Sequence, residues 1–251
     1  MKLSIIIAAY NEEATIAEIL ARVRKVALPG IEREIVVVDD GSKDRTAEIV
    51  RTYPDVRFFQ HPQNRGKGAA LNTGIQNAEG DILLLQDADL EYSPEDYPDL
   101  LRPILEGRAD LVLGSRFRYQ GPRFFTKNGD PFFSHYIGNI LIVALTNFLY
   151  GQKVTDYEGC YKAFTRDIAR KVTVKASGFE FDNELICKSL RLGYRLEEAA
   201  IHYKPRLYSE GKKIRPADGL KILWTIIQWR FLPVVKAENA RASAADAAGR
   251  R

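Results

Sequence analysis

The sequence predicts an α/β protein with a mostly parallel central sheet flanked by helices. Short, nearly continuous β-branched runs alternate with stretches whose apolar residues recur at helical spacing, the pattern of strands buried on both faces. The strand-like runs end in polar, turn-forming residues, and 251 residues are enough for one full core.

The elements follow in order. Residues 3–9 form an apolar run ending at Tyr10-Asn11-Glu12-Glu13, and Ile16, Ile19, Leu20 and Val23 then mark a helix. The strand 34–38 runs into Asp39-Asp40-Gly41-Ser42, a helix carries Ala47, Ile49 and Val50, and the strand 56–59 follows. Gly66-Lys67-Gly68 opens a helix over 69–78, which Gly80 ends before a buried strand over 81–86 that stops at Asp87-Ala88-Asp89. Ser93-Pro94-Glu95 starts a helix to about residue 106, and 110–113 is a fifth strand leading into Gly114-Ser115-Arg116. Residues 117–131 read as a mobile loop and 132–150 as an apolar helix. Beyond the loop 155–161 come a short strand, a helix with Leu185, Ile186 and Leu190, a last strand over 195–203 and an apolar helix over 219–235. We expect one domain over residues 1–236, its halves meeting near residue 116, and a disordered tail over 237–251.

Thirty-seven Lys and Arg against 33 Asp and Glu give a net charge of +4, too mild for a nucleic-acid binder. The cations are concentrated late, at Lys204, Arg206, Lys212, Lys213, Arg215 and Lys221, whereas the acids of interest end strands in the first half. That polarity suits a phosphorylated ligand. Cys160 and Cys187 match no metal spacing and no leader precedes the first strand, so a reducing, cytoplasmic setting is expected. No stretch reaches the roughly 18 apolar residues of a spanning helix, so any membrane role is expected to be peripheral.

In an open α/β sheet, ligands bind outside the carboxyl ends of the strands, where Tyr10, Asp39, Asp40, Asp87 and Asp89 all fall. Asp87 and Asp89, flanking the small Ala88, can direct oxygens to a hard divalent cation that bridges diphosphate oxygens. A lone Asp-x-Asp is more often a pair of solvated loop acids, so only its setting gives it weight. Asp39-Asp40-Gly41-Ser42 suits the base or ribose of a nucleotide, but paired acids also hold the metal of phosphoacceptor receiver domains, and a plain Asp-Gly turn is commoner than either. Lys67, between two glycines at a helix start, and Arg116, after a strand, are candidate phosphate contacts; a Gly-rich turn and a surface ion pair are their ordinary rivals. His61, His135 and His202 lack triad partners, leaving acid–base work to carboxylates: Asp156, or the Glu180, Asp182 and Glu184 group, which also suits a helix N-terminus.

Taken together, Ala9-Tyr10-Asn11-Glu12, Val38-Asp39-Asp40-Gly41-Ser42 with Asp44 and Thr46, Gly66-Lys67-Gly68, Asp87-Ala88-Asp89-Leu90, Gly114-Ser115-Arg116, and Arg206 followed by Gly211-Lys212-Lys213 resemble the family 2 glycosyltransferases of the Rossmann-like GT-A fold. Within that family they resemble more closely the branch of dolichol-phosphate mannose synthases and related polyprenyl-phosphate sugar transferases, over roughly residues 3–220. The resemblance implies a nucleotide-sugar-binding half over 1–116 and an acceptor-side half with apolar helices over 117–236. It implies that Ala9, Tyr10, Glu12 and Asp40 hold the nucleoside, that Asp87, Ala88 and Asp89 meet the metal and diphosphate, and that Lys67, Arg116, Arg206 and Lys213 contact phosphates. Glu91 stands where that branch usually carries Gln and joins Asp87 and Asp89 as an expected ligand of Mg²⁺ or Mn²⁺. The Glu210-Gly211-Lys212-Lys213-Ile214 stretch also departs from the branch's usual Gly-x-Ser-Lys pattern.

The implied reaction is inverting transfer of a hexose from a GDP-mannose-type or UDP-glucose-type donor to a polyprenyl or dolichyl phosphate, with Asp89, Asp156 and Arg116 as catalytic residues. Asp156 would serve as base if the acceptor were a soluble or glycan hydroxyl; a silent nucleotide-sugar-binding protein is the alternative of another class. The two apolar helices, flanked by Lys, Arg and Trp, suit the cytosolic face of a membrane, a core or an oligomer contact alike.

Overall fold

The computed structural model describes residues 1–120, 133–204 and 216–234. Seven strands form one sheet: β1 (Lys2–Ala9), β2 (Glu32–Asp39), β3 (Val56–Gln60), β4 (Ile82–Asp87), β5 (Leu111–Ser115), β6 (Lys162–Thr165) and β7 (Leu196–Ala200). Their spatial order is β3-β2-β1-β4-β6-β5-β7. β6 runs antiparallel to both its neighbours, while the remaining pairs are parallel. The mostly parallel sheet agrees with the sequence reading, but β5 does not lie beside β4 as chain order suggests. β6, from the second half of the chain, is inserted between them.

The helices are α1 (Ile16–Lys25), α2 (Thr46–Arg51), α3 (Lys67–Asn77), α4 (Tyr97–Leu105), α5 (Phe117–Gln120), α6 (Phe133–Tyr150), α7 (Arg166–Lys171), α8 (Phe181–Arg191) and α9 (Pro216–Phe231). Because side chains alternate across a strand, β1 sends Leu3, Ile5 and Ile7 into a core with α1, α2 and α4, and Ile6 into a second core with α3, α8 and α9. Both faces are covered, which is why the strands are apolar without interruption. The segment starting at Pro94 opens as a 3₁₀ turn (Pro94–Asp96) before α4. Residues 117–120 are helical rather than part of a loop, and α7 was not foreseen because it buries a single side chain, Ile168, and so shows no apolar period. The expected tail over 237–251 lies outside the described residues.

At the amino ends of the strands, Glu34 is nearly inaccessible and accepts hydrogen bonds from Ser4 Oγ, the Glu79 N–H (2.9 Å) and Arg57. Burial pushes its carboxyl pKa up, but the hydrogen bonds from Ser4, Glu79 and Arg57 outweigh this, and the net shift is below the ordinary 4.5. A depressed carboxylate pKa contributes stability that is present above pH 4.5 and lost as the pH falls through the folded-state value. Glu34→Gln should therefore flatten the acid limb of a plot of unfolding free energy against pH. An unchanged limb in urea titrations would show that Glu34 is not the group responsible.

Candidate active site

The carboxyl ends of β1 and β2 are joined by their own turns. The Asn11 N–H donates to Ser42 Oγ (2.9 Å), Asn11 Oδ1 accepts the Lys43 N–H (2.9 Å), and the Glu12 N–H donates to Thr46 Oγ1 (2.8 Å). Asn11 takes a left-handed φ of 52° to do so, which asparagine tolerates better than most residues. Gly41 is also left-handed (φ 73°), and a Cβ there would lie 2.5 Å from the Gln63 backbone carbon, so only glycine lets the two loops approach.

Asp39 and Asp40 are both buried and occupied by the chain itself. Asp39 accepts from the Ser42 N–H (3.2 Å) and Gln60 Nε2 (2.9 Å). Asp40 pairs with His61 Nδ1 (2.6 Å) and accepts the Arg65 and Gly66 N–H groups (3.0 and 2.8 Å), while His61 Nε2 reaches Thr73 Oγ1 (2.9 Å). Any part Asp40 has in nucleoside binding thus runs through the 61–66 loop that it shapes. That loop, with Tyr10, Gly41, Ser42 and Gln60, lines a cleft of about 650 Å³, within the usual size range of ligand sites. Gln60, Pro62 and Gln63 have no motif, and sequence reasoning missed them; Asn64 was legible only as the start of the Gly-rich turn before α3.

At the end of β4, Asp87 Oδ1 lies 2.7 Å from the Nζ of Lys67, the first residue of α3. Burial alone would raise the Asp87 pKa, but the Lys67 ammonium overrides it and holds the carboxyl below its usual range. Ala88 is buried between the two acids, and Asp89 Oδ1 accepts the Glu91 N–H (3.1 Å). Between them Leu90 takes a φ of 61°. A bulky residue in this region stores strain of about 1–3 kcal/mol, a feature that clusters at working sites. The Glu91 carboxylate bonds Tyr203, and its carbonyl accepts the Lys204 N–H (2.9 Å). Among the described residues no three His, Cys, Asp or Glu side chains gather as a ready metal cage. Two hard carboxylates at one strand end, one of them already attracting a cation, still suit a divalent ion whose other ligands come from phosphate.

At the end of β5, Arg116 is gripped by Asp156: Nε to Oδ2 is 2.7 Å, the second guanidinium nitrogen to Oδ1 is 2.8 Å, and the Arg116 N–H adds a third bond at 3.1 Å. The guanidinium carbon stands 5.2 Å from the Tyr203 ring centre, a cation–π distance. Asp156 is fully buried and also accepts the Glu158 N–H (3.1 Å). A carboxylate engaged in this way orients Arg116 and is poorly placed to take a substrate proton.

A second ion pair was not foreseen. Lys162, fully buried on β6, lies 3.1 Å from Asp182 at the start of α8, and Asn183 beside it donates to Glu158 (3.0 Å). Glu180 and Glu184 serve their own helix entrance, accepting the N–H groups of Gly178, Lys175 and Ala176. Burial raises the Cys160 thiol pKa well above its ordinary value, which removes it as a nucleophile. Arg206 and Lys213, expected to contact phosphates, lie outside the described residues.

A mostly parallel sheet whose carboxyl ends carry a cleft, an Asp-Ala-Asp turn and an oriented arginine has the layout of a GT-A-type protein. The chain belongs to glycosyl transferase family 2, whose model matches residues 4–173. It is 33% identical over 196 residues to the dolichol-phosphate mannosyltransferase of Pyrococcus furiosus, covering 75% of this chain and 53% of that one, so it spans about half the length of that relative. It is 28% identical over 250 residues to the dolichyl-phosphate beta-glucosyltransferase of Dictyostelium discoideum, covering 91% and 74%. Among solved structures, glucosyl-3-phosphoglycerate synthase from Mycobacterium tuberculosis, in complex with Mn²⁺, UDP and phosphoglyceric acid, superposes with a TM-score of 0.69 at 24% identity over 92% of this chain and 79% of that one. That likeness is one of fold.

Removing Asp156 should leave the part-buried Arg116 charge uncompensated and cost about 3–5 kcal/mol. Asp156→Ala is therefore expected to lower the urea-unfolding free energy strongly, and the double variant Asp156→Ala/Arg116→Met to recover part of the loss. If the double variant were as unstable as the sum of the two single ones, this account of the pair would be wrong.

Proposed function

We propose that this chain transfers a hexose from a nucleotide-diphosphate sugar, of the GDP-mannose or UDP-glucose type, to a polyprenyl or dolichyl phosphate, inverting the anomeric carbon. The observation that carries this reading is the separation of the two cations. Lys67 is paired with Asp87 at the end of β4, whereas Arg116 is set by Asp156 against Tyr203 at the end of β5.

The cleft along Tyr10, Gly41 and Asn64 takes the nucleoside, with Ala9 and Glu12 supporting Tyr10 and Asp40 shaping the far wall. Asp87, Ala88, Asp89 and Lys67 receive the diphosphate. Mg²⁺ or Mn²⁺ held by Asp87 and Asp89, with Glu91 alongside, would supply positive charge to the departing diphosphate. Arg116 receives the acceptor phosphate, and Arg206 and Lys213 are proposed to add charge there. A phosphate oxygen is already anionic near neutral pH, so the reaction rests on alignment and charge stabilisation and needs no base. This suits an Asp156 whose oxygens are committed to Arg116, and it favours the phosphate acceptor over a hydroxyl. The names of the Pyrococcus and Dictyostelium relatives point to the same acceptor class.

No helix among the described residues is long and apolar enough to cross a membrane. Leu141 and Phe148 on α6, with Leu220, Trp224 and Phe231 on α9, are exposed, and we assign this surface to the cytosolic membrane interface from which a lipid acceptor would be presented.

Incubating the purified protein with UDP-sugars and GDP-sugars, a polyprenyl phosphate and Mg²⁺ or Mn²⁺ should yield sugar in the lipid extract for at least one donor, and chelation should abolish it. Asp89→Ala is expected to reduce turnover by about 100-fold or more. Transfer only to soluble hydroxyls would overturn the acceptor assignment, and donor binding without any transfer would favour the silent nucleotide-sugar binder.

A further inference from the structure

The Lys67–Asp87 pair sits on the carboxylate that the proposed reaction needs for its metal, with the lysine and aspartate side chains 23% and 19% exposed. Two cations cannot share one partly buried carboxylate without strong repulsion, because charges screen each other poorly there. The backbone carrying Lys67 has little freedom to retreat. Gly66 is left-handed (φ 99°), a Cβ on it would collide with the Ser177 carbonyl, and a Cβ on Gly68 would lie 2.7 Å from the Ala176 carbonyl. Only the flexible four-carbon stem of Lys67 can move its ammonium. A second anion is in reach of its field: Asp182, which contributes to the electrostatics of Lys67 and uses Oδ2 on Lys162, while its buried Oδ1 has no hydrogen-bond partner among the described residues. Lys67 and Lys162 engage Asp87 and Asp182, so a dication arriving alone meets the Lys67 ammonium at Asp87, whereas one arriving with a diphosphate brings that ammonium a new anionic partner.

We propose that Lys67 is an internal counter-cation that occupies the metal's place at Asp87 and leaves it for the incoming diphosphate, with Asp182 Oδ1 as a second resting place, so that metal and donor bind together rather than singly. This deepens the transferase reading and rests on it. It makes Lys67 a positioning residue whose removal acts in opposite directions on the two ligands.

Mn²⁺ binding, followed by electron paramagnetic resonance with and without GDP or UDP, tests this. Wild-type protein is expected to bind Mn²⁺ at least about tenfold more weakly alone than with the nucleotide, and by linkage the metal tightens the nucleotide equally. In Lys67→Met, Mn²⁺ alone should bind about tenfold more tightly than in wild type while metal-free nucleotide binds more weakly. An Mn²⁺ affinity in folded Lys67→Met no higher than in wild type overturns the proposal. Should that variant not fold, the Lys67 side-chain NMR signal of the wild-type protein decides: it should move on adding nucleotide with Mg²⁺, and an unmoved signal overturns it. Wild-type protein that binds neither nucleotide, with or without Mn²⁺, would strike at the transferase reading itself, whereas intact synergy with an unchanged Lys67→Met affinity would strike at the role of Lys67 alone.

Discussion

Two helical layers cover the central sheet, and almost everything else in the molecule follows from that burial. Leu3, Ile5, Ile6 and Ile7 of β1 have no accessible surface, so neither side of a central strand can carry an uncompensated charge. Polar chemistry is pushed to the strand ends, and the parallel arrangement places the carboxyl ends of β1, β2, β4 and β5 on the same edge. Lys162 is the exception that obeys the same rule: buried within β6, it is held by Asp182 and the Gly159 carbonyl, because an unpaired ammonium there would cost several kcal/mol.

The site is accordingly built of paired ions rather than free ones. Asp87 with Lys67, Asp156 with Arg116 and Asp182 with Lys162 each satisfy a charge that burial would otherwise penalise, and Asp40 is held by hydrogen bonds to His61 and to the Arg65 and Gly66 N–H groups. Such pairs add little net stability, since desolvation cancels much of their attraction, but they set direction. The three bonds between Arg116 and Asp156 define where the guanidinium points, and the pair at Asp87 keeps a carboxylate ionised at a strand end before any ligand is present. Among the described residues, the two non-glycine residues with left-handed backbone, Asn11 and Leu90, lie at the same edge.

Much of this was legible in the chain. The strands β1, β2 and β4 announce themselves because continuous β-branched runs have few other uses, and their polar ends mark where ligands approach. The identities of Asp87, Asp89, Lys67 and Arg116 as strand-end or helix-start residues were readable for the same reason. Asp156 was legible as a carboxylate of interest but not as the partner of Arg116, since 40 residues separate them. Lys162 left only a faint trace, a charged residue in a short apolar strand, and Asp182 was legible as an acid of interest but not as its partner; Gln60, Pro62 and Gln63 left none, because a cleft wall made by backbone path has no residue signature.

The sequence by itself determined the kind of layers, the polarity of the strand ends and the inventory of charges, since these depend on local periodicity and on the cost of burying polar groups. Only the tertiary structure decided which charges meet. By inserting β6 antiparallel between β4 and β5, it brought Lys162 beside the Asp87 edge, and it set Asp156 against Arg116 and Asp40 under the 61–66 loop. Pairings across such separations depend on sheet order and on how helices seat against the sheet. Neither is written in the spacing of any one segment.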